Sequence, residues 1–171
     1  DGKVYLWPSH SETSAIHWRK SMLAQIGLET PGDTWADYEV TLQEIEKNIK
    51  TADGNPVRGN TVDLTTWRSW MSIVVNIAGG EAFTEDGYPD VTHPACIEAL
   101  EQMKRILAFA PAENYLSNQA QIDAFTNGSV GMLCTLLGHG PTAAKQGFGM
   151  TDWGYGELPA SVNAKTNLRT T

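Results

Sequence analysis

Residues 117–137 read Ser-Asn-Gln-Ala-Gln-Ile-Asp-Ala-Phe-Thr-Asn-Gly-Ser-Val-Gly-Met-Leu-Cys-Thr-Leu-Leu. The first half, Ser117 to Asn127, reads as a helix, and Gly128 stops it. The second half, Val130 to Leu137, is a continuous apolar run. A strand with one wet face would alternate, so this one is expected in the middle of a sheet covered on both faces. A helix feeding a buried strand points to an α/β chain, with helices packed on a small sheet.

Working outward, the other segments fit that scheme. Downstream, Gly138-His139-Gly140-Pro141 breaks the strand, a short helix follows, and Trp153 to Leu158 reads as the last strand. Upstream, Thr34 is placed to cap a helix, with Asp37 three residues on. Trp35, Tyr38, Leu42, Ile45 and Ile49 share one face of it, and Lys47 and Lys50 sit at its carboxyl end, where the dipole favours positive charge. Asp53-Gly54-Asn55-Pro56 is a turn before a strand over 57–64. Thr66 caps a helix from Trp67 to Ala78 that is apolar nearly all round and therefore expected in the core. Glu85-Asp86-Gly87-Tyr88 suits a small hairpin. Thr92 and Pro94 open an amphipathic helix with Cys96, Leu100, Met103 and Leu107 on one face. Near the start, Lys3 to Trp7 is strand-like, a polar loop runs to Thr13, a second strand runs through Trp18, and a short helix covers Ser21 to Ile26.

Composition excludes several classes. With 20 acidic against 12 basic side chains the formal charge is −8, and no Lys/Arg cluster offsets it locally, so nucleic acid is not an expected partner. No apolar run approaches the roughly 20 residues that span a bilayer. Cys96 and Cys134 form no CxxC and no zinc-type Cys/His pair, and are read as buried free thiols; neither a metal nor a cofactor is expected. Met71, Met103 and Met132 read as core filler, as does Trp18, while Trp35 packs at a helix start. Asp1-Gly2-Lys3 leads directly into a strand without a signal peptide, so either an export signal has been removed or the sequence starts partway through a larger protein.

Five blocks carry a resemblance. They are Ser14-Ala15-Ile16-His17-Trp18-Arg19-Lys20-Ser21-Met22-Leu23 with its continuation to Leu28, and Pro31-Gly32-Asp33-Thr34-Trp35-Ala36-Asp37-Tyr38. Ile77-Ala78-Gly79-Gly80-Glu81-Ala82-Phe83 with Asp86-Gly87 follows, then Ala124 to Met132, then Trp153-Gly154-Tyr155-Gly156-Glu157-Leu158-Pro159. In this order, across nearly the whole chain, they resemble the extracellular solute-binding proteins of ABC importers, the carbohydrate-type family that includes maltose-binding protein. The resemblance implies one lobe of a two-lobe, periplasmic-binding-protein-like α/β fold. Residues 1–160 would form the carboxy-terminal lobe, and 161–171 a crossing segment towards an amino-terminal lobe of the same parent protein. It also implies capture, without catalysis, of a small molecule such as a sugar or oligosaccharide. The cleft would close by hinge motion, and delivery would be to an ABC permease in the membrane. The location would be extracytoplasmic, in the periplasm or as a cell-surface lipoprotein.

The resemblance also selects candidate ligand contacts, placed on loops at one edge of the sheet. The first polar loop carries His10, Glu12 and Thr13, and Glu12 falls where the family has a ligand-contacting glutamate. A carboxylate accepts two hydroxyl hydrogen bonds and discriminates sugar stereochemistry; the alternative is an exposed loop carboxylate. Trp67, Arg68 and Trp70 open a helix in the region where the family supplies an aromatic platform. An indole face suits the C–H face of a pyranose, though both tryptophans equally suit a core. Arg68 offers a planar donor fork to hydroxyls or an anionic sugar, or is a surface arginine. At Leu137-Gly138-His139-Gly140-Pro141 the family's Gly-Pro-Trp is absent; His139 is left as a candidate contact or as a loop histidine without a role.

The rival from another class is a carbohydrate-active hydrolase, which needs two carboxylates about 5 to 9.5 Å apart across the sugar. Glu12 with Asp63 or Asp152 would supply them, but no motif ties them together. No GxSxG is present. A third possibility is a lobe that chiefly docks on the permease while its partner lobe carries the ligand.

Overall fold

A computed structural model describes residues 13–62, 64–65, 67–112 and 117–160, with the backbone alone at 67–70, 72, 80 and 81. The expected strand at Lys3–Trp7, the Thr66 cap and the segment 161–171 lie outside the described residues.

Among the described residues, four strands form one mixed sheet: β1 (Ser14–Arg19), β2 (Arg58–Val62), β3 (Val130–Leu136) and β4 (Trp153–Gly156), in the order β2-β3-β1-β4. β2 and β3 are parallel, while β1 runs antiparallel to both β3 and β4. The apolar run of β3 is central, as its lack of alternation requires. The described residues also form six α-helices around the sheet: α1 (Lys20–Gln25), α2 (Trp35–Asn48), α3 (Trp67–Ala78), α4 (Pro94–Leu107), α5 (Asn118–Asn127) and α6 (His139–Gln146).

Strand alternation divides the core in two. Ile16, Trp18, Met132, Cys134 and Val62 join Tyr38, Leu42 and Ile45 of α2 and Ile73 and Ile77 of α3 in the larger cluster. On the other face, Leu133 packs with Ile122, Phe125 and Ala143 of α5 and α6. β1 and β3 are covered on both sides, so the polar Ser14 and His17 of β1 are buried along with Ala15, Ile16 and Trp18.

Local signals account for several boundaries. Thr34 and Asp37 form a full capping box on α2, and all five expected core residues of that helix are buried. Ser117 caps α5, and Gly128 ends it at φ 85°, a left-handed conformation that glycine adopts without a Cβ penalty. Cys96 and Cys134 are buried free thiols, and the turn at 84–88 is closed by Thr84 and Tyr88.

Other boundaries shift. The α4 cap is His93, whose Nδ1 accepts from the Ala95 N–H, and not Thr92. α4 buries Cys96, Ala99, Met103 and Ile106, leaving Leu100 exposed at 48%. Met71 is half-buried, whereas Met103 and Met132 are core. β4 stops at Gly156 because Leu158 leaves the ladder, and α6 begins at His139, inside the expected break. Pro141 is tolerated there because N–H groups of a first helical turn have no intrahelical partner.

Arg19, at the end of β1, ties the second face together. Its Nη2 donates to the Phe125 carbonyl at 2.8 Å and to that of Thr126, and the guanidinium lies 4.0 Å over the Phe148 ring. A cation at the carboxyl end of α5 satisfies its orphan carbonyls and complements its dipole.

Candidate functional site

The strand register brings one edge of the sheet together. Ser14 opposes Leu136, Ile16 opposes Gly156, and Val62 lies beside Cys134. The start of β1 therefore meets the ends of β2, β3 and β4. α3 starts five residues after β2 and α6 three after β3, both from this same edge. Loops here are free of sheet pairing and can be shaped for a ligand without disturbing the core.

A cavity of about 920 Å³ opens at the β4 side of this edge. Thr13 lines it from just before β1, Ser14 and Trp18 from β1, Asn76 from α3, and Tyr155 and Glu157 from β4 and beyond. Its outer wall is held by pairing between two loops: the Ala160 N–H donates to the Asp33 carbonyl at 2.8 Å, and the Trp35 N–H to that of Ala160 at 3.4 Å. Asn76 is oriented by Trp35, whose indole N–H is only a donor and so takes the amide oxygen, at 3.0 Å.

Behind the cavity three rings stack across β1 and β4. Tyr155 lies on Trp153 with centroids 4.8 Å apart and planes 16° apart, and Trp153 lies on His17 at 6.0 Å and 25°. The ladder grades from a Tyr155 exposed at 56% to a His17 exposed at 0%. The Trp153 Nε1–H donates to His17 Nδ1 at 3.4 Å, which places the imidazole proton on Nε2. Burial pushes the His17 pKa from 6.5 down to about 4; the Leu136 backbone opposes this and His139 adds to it. His17 is thus neutral at physiological pH, as its acceptor role requires. Gly140 packs so closely on it that a Cβ there would sit 2.2 Å from Nδ1.

No family model matches this chain, and no curated protein matches it. Solved structures do. An ABC transporter solute-binding protein from Agrobacterium radiobacter K84, in complex with ribitol, aligns over 95% of this chain at TM-score 0.71 and 17% identity. One from Agrobacterium vitis S4 with bound D-mannitol aligns over 95% at TM-score 0.72 and 20% identity. Maltose-bound MalE3 from T. maritima aligns over 88% at TM-score 0.71 and 16% identity. The fold is that of one lobe of an ABC-importer solute-binding protein. This chain spans 41%, 40% and 39% of the length of those three structures.

Within the lobe, the candidate residues fall as follows. Thr13 lines the cavity, and its carbonyl accepts from the Leu137 N–H at 2.9 Å. His10 and Glu12 lie outside the described residues. Trp67, Arg68 and Trp70 occupy the first turn of α3, which starts at the shared edge. His139 opens α6 at the same edge, half-buried, with Nδ1 3.0 Å from the Thr135 hydroxyl and Nε2 available for another partner. Asp63, one of the carboxylates a hydrolase would use, also lies outside the described residues. Asp152 is at the opposite edge, with its oxygens accepting from the Ser21 N–H and hydroxyl, both at 2.7 Å. It cannot face a sugar bound beside Thr13.

Sequence reasoning passed over Asn76, Tyr155 and His17. Tyr155 and Trp153 were legible as an i, i+2 aromatic pair on one strand face, but only the β1–β4 register shows what they stand beside. No group of three metal-ligating side chains occurs among the described residues, and no helix there is long and apolar enough to cross a membrane.

Proposed function

We propose that this chain is the carboxy-terminal lobe of the substrate-binding component of an ABC importer, a non-enzymatic protein that holds a sugar or polyol. The observation that carries the reading is the convergence of all four strands at one edge beside a cavity of about 920 Å³. That convergence occurs in a lobe whose structural neighbours were solved with ribitol, D-mannitol and maltose. A cleft of this kind binds by hydrogen-bonding hydroxyls and excluding water, and a second lobe closing over it supplies the other contacts. In this reading residues 1–160 form the lobe and 161–171 cross towards the partner lobe. His10, Glu12, Thr13, Trp67, Arg68, Trp70 and His139 belong to the wall that faces the ligand. The protein works outside the cytoplasm, in the periplasm or on a lipid anchor, and delivers its ligand to a membrane permease.

The test is a titration of this chain with ribitol, D-mannitol and maltose, followed by saturation-transfer NMR. Specific transfer to at least one of them at millimolar concentration is expected, since one lobe lacks half of the contacts. No transfer from any of the three would refute carbohydrate binding by this lobe. Release of glucose from maltose during the same incubation would show that the chain is a hydrolase.

A further inference from the structure

We propose that α6 is an acid-released latch: its first turn is seated on the uncharged ring of His17, and the helix swings off the sheet when that ring takes up a proton. The opening is independent of what the sheet edge binds.

The seat is narrow. Gly140, in the first turn of α6, lies so close to His17 that even a methyl group has no room between them. The other side chains that α6 buries are those of Ala143 and Ala144, both at 0% exposure. Two methyl groups remove little apolar area from water, so close packing of the helix backbone on the sheet holds α6 in place. Glycines bracket the helix, Gly138 before it and Gly147 after it, and both are exposed. Such positions absorb backbone rotation at a hinge. β1, which carries His17, is an interior strand buried from Ser14 to Trp18. Of the two elements that meet at this ring, α6 is therefore the one that opens first.

A proton on His17 works against the seat twice. Nδ1 stops accepting from the Trp153 indole, and its new N–H faces the indole N–H. The imidazolium also lies against the first turn of α6, whose free N–H groups form the positive end of the helix dipole. The groups around the ring offer no carboxylate to offset this. Arg19 shares its side of β1, Tyr155 lies opposite it on β4, and His139 of α6 disfavours the charge. α5 buries Gln121, Ile122, Ala124 and Phe125, none of them acidic. Asp123, Lys145 and Glu157 are exposed, and Asp152 is held by Ser21 at the far edge. The Leu136 backbone favours the proton, but burial outweighs it and holds the pKa at about 4. Once α6 lifts, the ring meets water and regains a pKa near the ordinary 6.5. Opening then becomes about tenfold more favourable per pH unit as pH falls from 6.5 towards 4.

The experiment is native-state hydrogen exchange on this chain at pH 7 and pH 5, with and without low urea, corrected for intrinsic exchange rates. The amides of Ala143, Ala144 and Gly147 report on α6, and those of Leu42 and Ile45 on α2, which faces the larger core. At pH 7 the α6 amides should exchange faster than those of α2 and without response to low urea, because a local opening exposes little surface. From pH 7 to pH 5 their protection should fall about twentyfold. His17→Gln should remove that pH dependence, and His139→Gln should keep it. Equal protection and equal urea response of α6 and α2 at both pH values would overturn the latch, since the helix would then open only with the whole fold. A local opening that ignores pH, or one that keeps its pH dependence in His17→Gln, would overturn the role of His17. Loss of the pH dependence in His139→Gln would move the switch to His139 and overturn the proposal as well. Should His17→Gln fail to fold, the comparison of α6 with α2 in the unsubstituted chain and the His139→Gln result still decide the question.

Discussion

Acid should destabilise this lobe through one residue, His17. Its folded-state pKa is about 4, against 6.5 for an unperturbed histidine, and burial is the main cause. Between those values the unfolded chain takes up a proton that the folded chain refuses, so stability falls as pH falls from 6.5 through 4. Stability rises with pH wherever the unfolded state binds more protons, which sets the sign. The loss from this group comes to about 2 kcal/mol at pH 5 and about 3 kcal/mol at pH 4, relative to pH 7. Against a typical total of about 5–15 kcal/mol, that is a large fraction. Protonation would also destroy the Nδ1 acceptor that holds the Trp153 indole. The perturbation is His17→Gln, which keeps a polar side chain and removes the titration. Urea unfolding followed by tryptophan fluorescence at pH 7, 6, 5 and 4 gives the stability of both proteins. Carboxylates titrate alike in the two, so the wild-type minus variant difference isolates His17. That difference should shrink by about 3 kcal/mol from pH 7 to pH 4. A difference that stays flat with pH would refute the argument, because it would mean that His17 is charged as readily in the fold as out of it.

Asn76→Leu keeps the volume of the side chain and removes the acceptor for the Trp35 indole N–H, leaving a buried donor unpaired. A loss of about 1–3 kcal/mol in urea unfolding is expected. Thr34→Ala removes the side chain that caps α2 and half of its capping box. It should cost about 1 kcal/mol, measured as a lower urea midpoint at unchanged slope.

Elements with local causes were legible in the sequence. The α2 capping box joins residues three apart, and its buried face repeats at three-four spacing. The central place of β3 follows from the absence of polar residues at alternate positions. The rotation of α4 was not legible. Its sequence offers two apolar stripes, one through Leu100 and Leu107 and one through Ala99 and Ile106. Packing against α3 and α2 decides between them, and Ala99 with Ile106 lies inward because a small residue allows close approach of the helices. His17 was not legible as a core residue either, since a polar side chain between Ile16 and Trp18 reads as the wet face of an alternating strand. In the fold neither face of β1 is wet.

The cavity and its ring ladder belong wholly to the tertiary structure. Which residues line the sheet edge depends on β1 pairing with β4 across more than a hundred residues, and on which strand ends that register aligns. The sequence by itself determined helices, turns and a buried central strand, because these depend on neighbours within a few residues. Only the fold determined that Tyr155 stands open on a tryptophan anchored by a neutral histidine. Local spacing specifies the face on which a side chain lies, and long-range pairing specifies what that face meets.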